Sequence, residues 1–207
     1  LGSFNLNRPY IYLSIRNESL YDKDLLAGLS YIEQAINLKF LRISKLHISL
    51  DCNKNLINGF YRLLKNREVD FIINNRKVES MDEEIDSLLH VSTGSRKKIH
   101  KNKSFYIANS EKDLELNGYD KSKELLETGK QYIIDNIGFS KIYRFEVRMN
   151  NYKMVSESLQ MANINNEKLY YNLFNEDVLN TIFYVAMNRL IRVQINRKPC
   201  SLLEILI

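Results

Sequence analysis

The sequence predicts an α+β fold, in which a mostly antiparallel sheet has helices packed on one face and an open, polar face on the other. Residues 45–51 and 143–149 alternate strictly between apolar and polar side chains, as strands with one buried face do. Residues 20–37 and 176–192 instead repeat their apolar side chains at helical spacing. Of the 207 residues, 44% are hydrophobic and 27% charged, which is typical of a globular domain.

The N-terminal part is predicted to contain two strands, each followed by a helix. The first strand covers residues 10–16, and an amphipathic helix over 20–37 packs on the sheet. The second strand covers residues 41–51, and a shorter helix follows at 53–66. We expect these elements and the strand at 143–149 to bury a shared set of apolar side chains: Ile11, Leu13, Ile15, Leu25, Leu29, Ile32, Leu46, Ile48, Leu50, Phe145 and Val147.

The remaining elements are mostly short. They are predicted in this order: strands at 71–73 and 87–92, a hairpin of 104–108 with 114–119, a helix at 121–136 interrupted near Gly129, the strand at 143–149, and helices at 155–161 and 176–192. Because the pattern is helical beyond residue 150, we divide the chain into a domain of residues 1–150 and a helical C-terminal extension, 151–207, packed on it.

Composition limits which binding partners and which cellular compartment are expected. The chain has 30 basic and 25 acidic side chains, a net charge of +5 at pH 7, and this excess permits nucleic-acid binding. No apolar run approaches the roughly 20 residues of a membrane-spanning helix, and the first residues do not resemble a secretory signal. Two cysteines, Cys52 and Cys200, are too few for a disulfide framework. We therefore expect a cytoplasmic protein without a membrane partner.

Positive charge is concentrated in one short segment, which contains Arg96, Lys97, Lys98 and Lys101. A solvated hairpin tip is one interpretation, because runs of like charge are usually exposed loops. A clamp for phosphate groups is the other interpretation.

Strand alternation brings the ionisable residues of two separate segments to one face. His47 and Asp51 share a side of the first segment, and Arg144, Glu146 and Arg148 share a side of the second. If both strands belong to one sheet, Asp51, Glu146 and His47 are candidate ligands of a divalent cation. The tyrosines of that face, which include Tyr119, and its arginines suit a single strand, whose bases stack on aromatic rings. The alternative is a ladder of cross-strand ion pairs that involves Glu146.

Four segments carry a resemblance to a known family: Leu13–Tyr21 (LSIRNESLY), Leu46–Asp51 (LHISLD), Gly118–Leu125 (GYDKSKEL) and Tyr143–Arg148 (YRFEVR). In this order they resemble successive blocks of replication initiation proteins of the rolling-circle plasmid and phage type. This is the trans-acting Rep family, which has a nicking, relaxase-like domain. The resemblance covers residues 10–150 and implies a sheet face with a metal-binding pair and a tyrosine that attacks DNA.

The resemblance also implies roles for individual residues. Asp51 and Glu146 match the family's ligands for Mg²⁺ or Mn²⁺, whereas His47 stands where the family more often has a second acid. Lys121 and Lys123 match a basic segment that contacts phosphate.

The family's nucleophilic tyrosine lies on the C-terminal side of the glutamate strand. Tyr184, Tyr171, Tyr170 and Tyr152 are the candidates there, and the sequence does not choose among them. Because a tyrosine has a pKa near 10, the cation or Arg144 is expected to assist its ionisation.

The implied function is that of a DNA replication initiator. It binds single-stranded or origin DNA in the cytoplasm of a bacterial host and nicks one strand in a metal-dependent, nicking-closing reaction that leaves a 3′-OH primer. The expected DNA-binding residues are Arg96, Lys97, Lys98, Lys101, Lys121, Lys123 and Arg148. Two alternatives are a non-catalytic origin-binding or regulatory protein of the same fold and a phage structural protein, and a homodimer is left open.

Overall fold

The structure is a computed structural model that describes residues 11–16, 18–78, 104–139, 141–164 and 169–206, without the side chains of residues 123, 169 and 170. The chain divides into two compact units between Leu41 and Arg42. The predicted strand at 87–92 and the basic residues Arg96, Lys97, Lys98 and Lys101 lie outside the described residues.

The first unit contains a 3₁₀ helix, Glu18–Tyr21, and helix α1, Leu25–Ala35. The predicted first strand is wrong, because residues 11–16 have no regular secondary structure. Ile11, Leu13 and Ile15 are 50%, 60% and 38% exposed. An alternating sequence becomes a strand only where a neighbour supplies hydrogen bonds, and neither described sheet includes this segment.

Helix α1 buries less than the sequence predicts. Leu29 is buried as expected, but Ile32 is 39% exposed, so its predicted burial is wrong. Tyr31 and Ile36, which lie beside Ile32 and one turn beyond it, are exposed as well.

The second unit contains all the described strands and most of the helices. In chain order they are β1 (Leu46–Cys52), α2 (Leu56–Leu64), β2 (Val69–Ile73), β3 (Arg76–Val78), β4 (Phe105–Ala108), β5 (Leu114–Asp120), α3 (Lys121–Thr128), α4 (Gln131–Ile137), β6 (Tyr143–Met149), α5 (Tyr152–Met161), α6 (Leu169–Asn172), α7 (Glu176–Leu190), β7 (Ile191–Ile195), β8 (Lys198–Cys200) and α8 (Leu202–Leu206). Helices together with antiparallel sheets confirm the predicted α+β class.

The main sheet has its strands in the order β1-β6-β5-β4, and every neighbouring pair is antiparallel. Its apolar face is the predicted one, since Phe145 and Val147 are 0% exposed and Ile48 is 8% exposed. Leu46 and Leu50 are only partly buried, because β1 is an edge strand. The predicted hairpin of β4 and β5 is confirmed.

A second sheet, in the order β3-β2-β7-β8, is also antiparallel. The strand predicted at 71–73 is confirmed as part of β2, whereas β3, β7 and β8 were not predicted. The prediction that residues 151–207 are helical is wrong for β7 and β8. Helix α7 ends at Leu190, and the next residue, Ile191, already has extended backbone angles. A division of the chain at residue 150 separates β7 from β2, to which it is hydrogen-bonded.

Four phenylalanines connect the apolar face of the main sheet with α2 and the second sheet. The ring centroid of Phe105 lies 5.1 Å from that of Phe145 and 4.3 Å from that of Phe60. Phe60 also lies 6.0 Å from Phe71, between centroids. Each such pair stabilises a fold by about 0.5–1.5 kcal/mol beyond its buried area. Helix α7 packs against β1, β5 and β6 on this side.

Gly118 permits the central contact of this cluster. It pairs with Phe105 in the register of β4 and β5. A Cβ at residue 118 would lie 2.1 Å from a ring carbon of Phe105, so any side chain there would push the ring out of place. Packing therefore requires the glycine that precedes Tyr119.

Helices α2, α5 and α7 lie close to their predicted ranges, whereas α6 and α8 were not predicted. The predicted interruption near Gly129 is confirmed, because Gly129 ends α3 in a left-handed conformation with φ of 65° before α4 begins. Within the described ranges, no helix combines the length and the apolar character that crossing a membrane demands.

Candidate functional site

The polar face of the main sheet consists of the side chains that alternate with the buried ones. Its members are His47, Ser49 and Asp51 of β1, Arg144, Glu146 and Arg148 of β6, Glu115, Asn117 and Tyr119 of β5, and Tyr106 of β4. As predicted, Asp51 and Glu146 lie on adjacent strands and point to the same side.

At one end of the polar face, Asp51 and Arg144 face each other across β1 and β6. Arg144 donates two hydrogen bonds to Asp51, from Nε to Oδ1 at 2.6 Å and from Nη2 to Oδ2 at 2.5 Å. The Arg144 side chain is 8% exposed and the Asp51 side chain is 13% exposed. Burial acts to lower the pKa of Arg144, but the Asp51 carboxylate outweighs it and raises that pKa above its ordinary value. Both oxygens of Asp51 are therefore engaged.

In the middle of the polar face, Glu146 accepts hydrogen bonds from two neighbours. Arg148 Nη2 lies 2.8 Å from Glu146 Oε2, and the Tyr119 hydroxyl lies 3.4 Å from the same oxygen. The Glu146 side chain is 10% exposed and that of Arg148 is 38% exposed. These contacts, with the Asp51–Arg144 pair, form the ladder of ion pairs that the sequence offered as the alternative to a metal site.

The predicted metal ligands do not gather around one point. His47 and Asp51 are separated by four residues of one strand, about 13 Å at 3.3 Å per residue. His47 Nε2 instead lies 3.3 Å from Asn150 Oδ1. Among the residues that the structure describes, no three His, Cys, Asp or Glu side chains form a group able to hold a metal ion. As placed, the residues do not fit a bound cation, because arginines hold the carboxylate oxygens, and Mg²⁺ or Mn²⁺ binding stays a prediction.

Tyr119 is the polar-face tyrosine that contacts Glu146. Burial, together with the negative charge of Glu146, raises the pKa of Tyr119 to about 12. Lys121, predicted to contact phosphate, lies 5.7 Å from the centroid of the Tyr119 ring and is 4% exposed. Its ammonium donates to Glu124 at 2.6 Å, and burial lowers the pKa of Lys121. The main charge partner of Lys121 is therefore internal, and the side chain of Lys123 lies outside the described residues.

The predicted nucleophiles do not lie on the main sheet. Tyr184 is 39% exposed on α7, the helix that packs against the apolar side. Tyr171 is 43% exposed on α6, and Tyr152 carries Arg42 over its ring at 4.4 Å. The side chain of Tyr170 lies outside the described residues.

Strand alternation predicted Tyr119 on the polar face, where its ring could stack on a base, but Tyr119 was not among the predicted nucleophiles, and Tyr106 was not predicted as a functional residue. Side chains two residues apart in a strand share a face, so Tyr119, Asn117 and Glu115 of β5 lie on the same face of the sheet as Glu146. Tyr119 was not among the predicted nucleophiles because the family resemblance implies a tyrosine on the C-terminal side of the glutamate strand.

A cavity of about 560 Å³ opens beside β4 and β5 at the other end of the polar face. Its polar lining consists of Ser104, Tyr106, Lys112, Asn117, Tyr119 and Arg148. Two buried donors here, Asn117 Nδ2 and Arg148 Nε, have no hydrogen-bond partner among the described residues.

No protein-family model matches the chain, and neither a curated protein nor a solved structure matches it.

Proposed function

We propose that the protein is a DNA replication initiator that binds single-stranded or origin DNA on the polar face and nicks it through Tyr119. The observation that supports this proposal is the position of the Tyr119 hydroxyl, 3.4 Å from Glu146 Oε2 on a face that also carries Arg144 and Arg148. A phenol beside a carboxylate and arginines combines a nucleophile, a base and groups that attract phosphate.

The reaction follows from these contacts. Because the pKa of Tyr119 is raised to about 12, the phenol is protonated at neutral pH and needs a base. A phosphate that binds Arg148 replaces Glu146 as its partner, and Glu146 then accepts the Tyr119 proton. The Tyr119 oxygen bonds to phosphorus while the bond from phosphorus to the 3′ oxygen breaks. Glu146 returns the proton to that oxygen, which leaves a 5′-phosphotyrosine and a free 3′-OH.

The predicted cation takes no part in these steps, because Arg144 holds both oxygens of Asp51. Nicking assays with a chelator, and with Mg²⁺ or Mn²⁺ added back, decide whether a cation is required. Recovery of nicking by the metal would mean that Arg144 leaves Asp51 when DNA binds.

The direct test is a covalent adduct. The protein is incubated with a library of short single-stranded oligonucleotides and run on a denaturing gel, where a linked oligonucleotide shifts the band. We expect Tyr119→Phe to abolish the shift and Tyr184→Phe, on α7, to retain it. An adduct that persists in Tyr119→Phe and disappears in Tyr184→Phe would overturn the assignment.

The second candidate is a non-catalytic origin-binding or regulatory protein. It is favoured by the pairing of Asp51 and Glu146 with arginines, which neutralises both carboxylates. DNA binding without an adduct under any metal condition would select it, and absence of DNA binding would favour the structural phage protein. The bacterial cytoplasm and the homodimer stay predictions.

A further inference from the structure

We propose that the cavity beside β4 and β5 binds one unstacked nucleobase of a single DNA strand. The inference rests on the proposed function and deepens it, because it assigns the recognition of a base to one end of the polar face. It predicts that binding depends on the bases as well as on the phosphate backbone.

The aromatic lining of the cavity is held in place by its own hydroxyl groups. The Tyr106 hydroxyl donates to Glu115 Oε1 at 3.0 Å, and the Tyr119 hydroxyl donates to Glu146 Oε2. Rings anchored in this way lose little conformational freedom when a base stacks on them. Every base has an aromatic face, so stacking on tyrosine suits a single strand of any sequence.

The two unpartnered donors point to a ligand with hydrogen-bond acceptors. Asn117 Nδ2 and Arg148 Nε are buried and lack partners among the described residues, although buried donors in folded proteins are almost always paired. Arg148 uses Nη2 for Glu146, or for the phosphate that replaces Glu146 in the proposed reaction, so Nε remains for the base. Carbonyl oxygens and ring nitrogens of a nucleobase are acceptors of the required kind.

Charge and size favour a base over a phosphate inside the cavity. Glu115 stands behind the Tyr106 hydroxyl, where its negative charge would repel a phosphate. The exposed Lys112 lines the cavity from the hairpin between β4 and β5, where it can meet the phosphate attached to the bound base. The volume of about 560 Å³ is in the usual range for small-molecule sites.

The test compares two oligonucleotides with identical phosphates. One is oligothymidylate of about ten nucleotides, and the other has the same length with a base-free tetrahydrofuran at every position. We expect wild-type protein to bind the base-free strand about tenfold more weakly in fluorescence anisotropy titrations, equivalent to about 1.4 kcal/mol. In Asn117→Leu the difference in affinity between the two oligonucleotides should fall to about threefold, because base stacking remains and one hydrogen bond to the base is lost.

Asn53→Ala is the matched control, since Asn53 is exposed and does not line the cavity. It should keep the full difference, and all three proteins should bind the base-free strand equally and unfold cooperatively. Equal binding of both strands by the wild-type protein, or an unchanged difference in Asn117→Leu, would overturn the base site and leave the DNA-binding function standing. Failure of the wild-type protein to bind either strand would overturn both.

Discussion

The two ends of the polar face are built from similar residues and differ in how completely their hydrogen bonds are satisfied. At one end, Arg144 donates two hydrogen bonds to Asp51, and both side chains are almost fully buried. At the other end, Asn117 and Arg148 each keep a buried donor without a partner in the described part of the chain, and a cavity opens beside them.

This difference separates a structural role from a binding role. A buried ion pair with every oxygen engaged has little to offer a ligand, and its removal is costly to the fold. A buried donor left without a partner is costly to the fold as it stands, so a ligand that supplies an acceptor recovers that free energy. We call the end with Asp51 and Arg144 the closed end, and the end with Asn117 and Arg148 the open end. We therefore expect variants at the closed end to change stability and variants at the open end to change binding.

The largest effect is expected at the closed end. Arg144→Ala leaves the Asp51 carboxylate buried without its partner, and the free energy of unfolding should fall by about 3–5 kcal/mol. Urea unfolding followed by circular dichroism measures this change. A loss below about 1 kcal/mol would mean that the pair behaves like an exposed surface ion pair.

The double variant Asp51→Leu with Arg144→Leu is the control for this prediction. It removes both charges together, so it should recover most of the stability that Arg144→Ala loses. Arg148→Ala provides the comparison with the open end, and its cost should be smaller because Arg148 donates one hydrogen bond to Glu146 and Glu146 keeps its contact with the Tyr119 hydroxyl.

Two asparagines give the next largest contrast. Asn151 caps α5 by accepting from Met154 N at 2.9 Å, and it also donates to Asp113 Oδ2 at 2.8 Å. Asn151→Leu should therefore cost about 1–2 kcal/mol. Asn117→Leu should cost nothing or stabilise slightly, because it removes an unpaired buried donor. If Asn117→Leu destabilises the protein as much as Asn151→Leu does, Asn117 has a hydrogen-bond partner in the folded protein and offers no spare donor to a ligand.

The sequence predicted the main sheet better than the rest of the fold. In β1 and β6, alternation identified both faces, and it placed Asp51 and Glu146 on one side of adjacent strands. The same pattern failed at residues 11–16, because alternation describes side chains and says nothing about whether a neighbouring strand is available.

Of the second sheet, the sequence predicted only β2, as residues 71–73, and β3, β7 and β8 were missed for a different physical reason. Its two hairpins turn at Asn74-Asn75 and at Asn196-Arg197, where all four residues have positive φ. Two-residue turns of this kind are usually recognised in a sequence by a glycine, but here asparagine and arginine adopt the left-handed conformation instead. The sequence also could not say which arginine pairs with which carboxylate, since that depends on the register and on burial.

Alkaline titration tests the tyrosines of the open end. Burial and Glu115 raise the pKa of Tyr106 to about 12, and burial and Glu146 do the same for Tyr119. The folded state favours the protonated phenols, so they stabilise it fully below pH 10, the ordinary pKa of tyrosine. This stabilisation is lost as the pH rises toward 12, the raised pKa in the folded protein. Phenolate absorbance should show two late-titrating tyrosines, and Tyr119→Phe should remove one of them. Complete titration of the tyrosines near pH 10 in the folded protein would contradict the contacts with Glu115 and Glu146.

The smallest effect is expected in the salt dependence of DNA binding. If Lys112 meets a phosphate at the mouth of the cavity, Lys112→Gln should reduce the slope of log affinity against log salt by about 0.7, the value for one contact to a single strand. Lys198→Gln is the matched control, because Lys198 is exposed on β8 of the second sheet. Its slope should equal that of the wild-type protein. Equal slopes for all three proteins would remove Lys112 from the DNA contact, and a reduced slope in Lys198→Gln would place DNA on the second sheet as well. Either outcome would break the division between a binding end and a structural end of the polar face.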